Sequence, residues 1–300
     1  MHEISIYSSR LKKVKIEQDK LQKLIDHWQI IMSTYELYLQ YSLVCSSLAN
    51  FKKLMYARAI DLHEMPVEQQ FVTSSSFIEA ENSTMHMVSS LLKFTDLLPS
   101  IYSKCFPEKL DVYAETTTAI SSIYNESNRK YMFLYELRNA IVHNKVLITV
   151  SHGGSKKLIS PHSCIQIGYY IDFEKFCGKH VTKKHKLAKL LEAKNELCDE
   201  KGRVDLALIF TEVISDLYRK LVVPMLKELE QQINFYSSET IKYLVNSEFI
   251  KESELSLLNV ECENRLIYST SVLGRVHELK KSISYPINGL CILIAPSTIK

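Results

Sequence analysis

The chain has 300 residues, 46% of them hydrophobic and 24% charged, and 37 Lys and Arg against 34 Asp and Glu leave a formal charge of +3. That is ordinary globular chain, long enough for one large domain or two small ones, and too weakly charged to mark a DNA-coating protein. Average usage would place roughly 21 Gly in such a length, yet there are 7, and none precedes Gly153. A phosphate-cradling P-loop, a dinucleotide fingerprint and a hairpin-rich barrel are thereby excluded from the first half, and a propeller with them.

Seven cysteines, an odd number without paired spacing, suit reduced thiols better than a disulfide framework. No apolar signal core follows MHEISIYSSRLKKVK, and no stretch approaches the roughly 18 apolar residues of a bilayer span. A soluble, cytoplasmic protein with no membrane partner is expected.

Over residues 11–60, Leu21, Leu24, Ile25, Trp28, Ile31, Met32, Tyr35 and Leu39 recur at three- and four-residue steps, which predicts one helical face. Ser33 and Glu36 have capping-box spacing, so a break between two helices is expected near Ser33. Pro66 closes this region. Ser76 and Glu79 repeat the capping pattern and start a helix carrying Met87, Leu91, Leu92 and Leu98. Pro99 and Pro107 predict a turn, with Pro107 at the first position of the next helix.

Asn128 to Val142 is the densest helical segment, with Leu134, Leu137 and Ile141 as its buried stripe. Beyond Asn144, Val146–Val150 reads as a strand, Gly153–Gly154 as a turn and Cys164–Ile171 as a second β-rich segment. Together they predict a hairpin-like excursion. Helix returns near residue 183 and dominates from Asp205 to Phe235, where Pro224 should kink or split it. Residues 238–300 have shorter elements and end on a β-like ISYPINGLCILIA. The expected fold is mainly α, in three stretches: N-terminal helices over 1–66, a helical domain over 67–236 with its β excursion near 146–171, and a small α/β appendage over 237–300.

Charge is uneven. Glu174 to Lys189 holds six Lys and one Glu, whereas Leu226 to Glu263 holds three Lys and eight Glu. The basic run is either solvated helix surface or a phosphate-binding strip, with Lys183, Lys184 and Lys186 at its centre.

The dense helix ends in YELRNAIVHN. Asn139 and His143 are four residues apart and share a face, and Glu136, seven before His143, lies nearly on it. Arg138 is turned about 140° away from His143 around the helix axis. An imidazole exchanges protons near neutral pH, a guanidinium grips phosphate in a bidentate manner, and an amide orients either. Such a set suits RNA cleavage by the substrate's own 2′-hydroxyl, with no metal or cofactor required. By itself the spacing is weak, because a His near a helix C-terminus is favoured by the helix dipole.

LRNAIVHN, closing an apolar helix and followed by a strand-like excursion and a later long helix, resembles the HEPN superfamily. The resemblance is sharp over these eight residues and covers about 70–236 only in helical layout. It implies an all-α bundle, a homodimer with a composite active site, and a metal-independent endoribonuclease of toxin, abortive-infection or antiphage type. Arg138 and His143 would be the catalytic pair and Asn139 the polar helper; Glu136 is added from helix geometry. Implied partners are the RNA substrate and an antitoxin or sensor protein. HEPN toxins controlled by nucleotidyltransferases usually carry Tyr two positions after the His; here Lys145 stands there, which suits RNA contact instead. The alternative is a non-catalytic HEPN-like module that binds RNA, nucleotide or a protein.

Two further groups attract notice. His152, His162, Cys164, Cys177, His180 and His185 are zinc-ligand types crowded together, although their spacing matches no common finger. Tyr131 and Tyr135 lie one turn apart on the motif helix, where they suit either packing or base stacking.

Overall fold

The computed structural model describes residues 1–8, 10–64, 74–124, 129–143, 148–154 and 165–293. In chain order these form β1 (His2–Tyr7), β2 (Leu11–Ile16), α1 (Gln18–Glu64), α2 (Ser74–Lys104), α3 (Val112–Tyr124), α4 (Arg129–His143), β3 (Thr149–Gly154) and β4 (Ile165–Asp172). There follow α5 (Phe173–His180), α6 (Lys184–Glu192), α7 (Lys194–Leu197), β5 (Arg203–Asp205) and α8 (Leu206–Leu217). The last elements are α9 (Val223–Asn246), β6 (Asn259–Cys262), β7 (Arg265–Ser269) and α10 (Thr270–Leu293). About 75% of the structure is helical, so the fold is mainly α.

Residues 1–42, 97–117 and 222–300 form a first compact unit, and residues 43–96 and 118–221 a second. Neither coincides with one of the three consecutive stretches expected from the sequence. In the first unit the antiparallel sheet runs β2-β1-β6-β7, with Ile4 opposite Cys262 and Ile6 opposite Val260. Strands from residues 2–16 and from residues 259–269 therefore share one sheet. Alternation in HEISIY turns Ile4 and Ile6 inward, where Leu21, Leu24, Trp28 and Ile31 of α1 meet them with Leu244, Ile267 and Tyr268. Each such side chain contributes about 1.5–3 kcal/mol through burial.

The second unit is organised around α4. Its Phe133, Leu134, Leu137 and Ala140 are buried, while Ile141, expected in the stripe, is only half-buried. The Phe133 ring lies 5.0 Å from that of Phe176 and 6.5 Å from that of Phe173, so α5 closes over the inner face of α4. The second sheet runs β3-β4-β5, all antiparallel. Asp205 then caps α8 by accepting from the backbone N–H groups of Ala207 and Leu208. Phe210 on α8 meets Phe51 of α1 edge-on at 5.2 Å, and Phe51 meets Tyr169 of β4 in the same way at 5.5 Å.

Several local expectations change. The hairpin β1–β2 precedes α1, although the alternation in HEISIY and LKKVKI is visible in hindsight. No break occurs at Ser33, because α1 runs on and Thr34 donates its hydroxyl to the Ile30 carbonyl within the helix. Pro99 lies inside α2, and Pro107 in a turn before α3 rather than at its first position. Gly153–Gly154 belongs to β3, paired with β4, so the excursion is a hairpin whose connection at 155–164 falls outside the described residues. Pro224 does divide the long helix: a π-helical turn at Tyr218–Val222 separates α8 from α9, in whose first turn Pro224 sits. The β-like C-terminal run is helical as far as Leu293, since short apolar runs do not by pattern alone separate strand from helix.

Candidate functional site

The C-terminal half of α4 has distinct sides. Leu134, Leu137 and Ala140 belong to the core, Asn139 is half-buried, and Arg138, Val142 and His143 are exposed. His143 occupies the last helical turn. Desolvation raises the Asp96 carboxyl of α2, and Arg138 is close enough to oppose part of that rise. Among the described residues no carboxylate lies within ion-pair distance of Arg138.

Glu136 does not remain available beside His143. It is only 8% exposed and forms an ion pair with Lys186 of α6. Lys186 also sits 4.7 Å from the centre of the Tyr135 ring. Two expected site residues are thus brought together, with each other as partners: Glu136 anchors a lysine expected on RNA, and Lys186 neutralises a carboxylate expected near the imidazole. Lys183 and Lys184 open α6 and remain exposed. Lys145 lies outside the described residues.

Tyr131 is buried and its hydroxyl lies 2.9 Å from that of Thr95; burial raises the phenol to about 12. It packs rather than stacks. Tyr135 is 38% exposed and borders a cleft of about 330 Å³. This cleft is also lined by Asp96, Ser121, His185, Lys186 and Lys189. A larger cleft of about 830 Å³, in the first unit beside Ile30, Glu36, Leu39 and Pro107, includes none of the motif residues.

Cys177 is buried, and desolvation pushes its thiol up to about 12, which opposes the thiolate a metal needs. His180, three residues on, is held toward its neutral form by burial first and Lys179 second. Among the described residues, no three His, Cys, Asp or Glu side chains converge as metal ligands. His162, Cys164 and the side chain of His152 fall outside that description.

Sequence reasoning missed Asp96, which had no local signal, and left His185 and Lys189 unassigned at this site. Their four-residue spacing on a helix was the available clue. Among the described residues no helix is long and apolar enough to cross a membrane. No family model, no curated protein and no solved structure matches this chain.

Proposed function

We propose that the chain is a metal-independent endoribonuclease of HEPN type, acting as a cytoplasmic toxin or antiphage, abortive-infection effector. The observation that carries this reading is the outward display of Arg138 and His143 on α4, while the apolar side chains of that helix and Glu136 are turned inward. A guanidinium and an imidazole that serve neither core nor ion pair among the described residues are available to a substrate. His143 exchanges the proton of the 2′-hydroxyl, Arg138 stabilises charge growing on the phosphate, and Asn139 orients the attacked group. Glu136 contributes through the fold, not the chemistry.

The 140° between Arg138 and His143 favours a homodimer in which one chain's Arg faces its partner's His across a two-fold axis. An antitoxin or sensor protein would act by covering that face. The test is incubation of the purified full chain with total RNA, with and without chelator. Cleavage that survives chelation and leaves a 2′,3′-cyclic phosphate or its hydrolysis product is expected, with DNA untouched. Strict magnesium dependence, or cleavage of DNA, overturns the mechanism.

A further inference from the structure

The 330 Å³ cleft of the second unit is bounded by four helices, with Asp96 from α2, Ser121 from α3, Tyr135 from α4, and His185 and Lys189 from α6. That volume is at the small end of ligand sites, which span about 300–1,000 Å³. A single nucleotide is of that order of size.

The charges around it are unequally satisfied. Lys186 is neutralised by Glu136. Lys189 and His185 lie four residues apart on α6, both line the cleft, and neither has an ion-pair partner among the described residues. An ammonium and an imidazole side by side suit a phosphate. Facing them from the other helices are a carboxylate, Asp96, and a hydroxyl, Ser121. One group of the cleft thus attracts an anion, and the other offers hydrogen bonds without adding positive charge. The cleft also adjoins the motif: Tyr135 is one turn before Arg138, and Arg138 acts electrostatically on Asp96.

We propose that this cleft is a single-nucleotide subsite for RNA, in which Lys189 and His185 hold a phosphate while Asp96 and Ser121 read the base. The choice of RNA rests on the ribonuclease reading; the site itself does not require catalysis. An ionised carboxylate only accepts hydrogen bonds, so it selects a base edge with adjacent N–H donors. Guanine presents such an edge through N1 and N2, whereas adenine, cytosine and uracil each interpose an acceptor. The subsite therefore selects guanine, and a nuclease using it cuts next to G.

The experiment measures binding of 5′-GMP, AMP, CMP, UMP and inorganic phosphate to the full chain carrying His143→Ala, with thermal melting to verify folding of each further variant. GMP should bind tightest, and Lys189→Ala combined with His185→Ala should weaken it about tenfold or more, as expected for lost hydrogen bonds to a charged group. Asp96→Asn should abolish the preference among the four nucleotides while binding through phosphate persists. Inorganic phosphate binding as tightly as GMP, or GMP binding unaffected by these substitutions, overturns the subsite. The two readings fail separately. RNA cleavage whose base preference ignores Asp96→Asn removes the subsite and leaves the nuclease. GMP binding that depends on Lys189 and Asp96, in a chain that never cleaves RNA, does the reverse.

Discussion

In the first unit His27 is buried on α1 with its Nδ1 3.1 Å from the hydroxyl of Thr240 on α9, and desolvation holds the imidazole toward its neutral form. In the second, Glu136 is buried on α4 as one half of an ion pair with Lys186. The surfaces differ as well. Lys12, Lys13 and Lys242 of the first unit lie 3.2, 2.8 and 3.1 Å from glutamates. Arg138, His143, Lys183 and Lys184 of the second are exposed without such partners among the described residues. The acidic run falls in the first unit and the basic run in the second. Ion pairs take up part of the charge in both units: Lys130, Lys194 and Arg203 of the second are paired as well, while Lys15, Lys23 and Lys227 of the first are exposed without such partners among the described residues. What sets the second unit apart is clustering: Lys183 and Lys184 adjoin at the start of α6, and Arg138 and His143 lie within one stretch of α4.

The sharpest way to break this comparison is to remove the outward imidazole. His143→Ala should reduce RNA cleavage by about 10²–10⁴-fold, the usual contribution of general acid–base catalysis. The melting temperature should stay within a degree or two, since an exposed side chain in a last turn contributes little packing. Retention of more than half the activity would reject the assignment of His143.

Inside the same helix, the ion pair allows an asymmetry to be measured by urea unfolding. Lys186→Met leaves Glu136 buried and uncompensated, and should cost about 2–3 kcal/mol. That is less than for a fully buried pair, because the Lys186 side chain is still 22% exposed. Glu136→Gln should cost less, about 1 kcal/mol, as the lysine stem can carry its ammonium into water. The reverse order would show that Lys186, not Glu136, is the group the fold must satisfy.

Smaller still is the expected effect at the start of α6. Lys183→Gln with Lys184→Gln should weaken RNA association and flatten its dependence on salt by about 1.4 in logarithmic slope, for two lost phosphate contacts on a single strand. The end groups produced should not change. An unaltered slope would return both residues to ordinary solvated surface.

The least effect belongs to the neutral pair of the first unit. His27 has a folded-state pKa below its usual 6.5. Above that value the imidazole is neutral in both states; below it the unfolded chain binds the proton first, so stability falls on acidification. Melting temperatures should therefore drop as pH is lowered through 6.5 toward the depressed folded value, and His27→Gln, which keeps a partner for Thr240, should flatten that decline. A decline equally steep in the variant would assign it to other groups.

Much of the helical framework was legible because it depends on local periodicity. Asn128 lies outside the described residues; from Arg129 on, the predicted segment to Val142 follows α4 and stops one residue short of its end, and Leu134 and Leu137 are buried as their spacing requires. The hairpin after the motif helix followed from a change of texture, and the division at Pro224 from a missing N–H. Local rules failed where neighbours compensated. Pro99 sits within α2, and Ser33 with Glu36 fails to cap because α1 already continues on both sides.

The sequence alone determined that the chain is mainly helical and that Arg138, Asn139 and His143 close one helix, since a helix fixes angular spacing without reference to anything beyond itself. Tertiary structure decided which of those groups remain available. Glu136 and Lys186 are 50 residues apart, and nothing in either segment announces that α6 will carry an ammonium onto a buried carboxylate. The same holds for Ile4 opposite Cys262 and for the meeting of Asp96 with His185 and Lys189 around one cleft. Periodicity specifies which face of an element is buried; only the packing of distant elements specifies what that face meets, and so which charges are neutralised and which stay exposed.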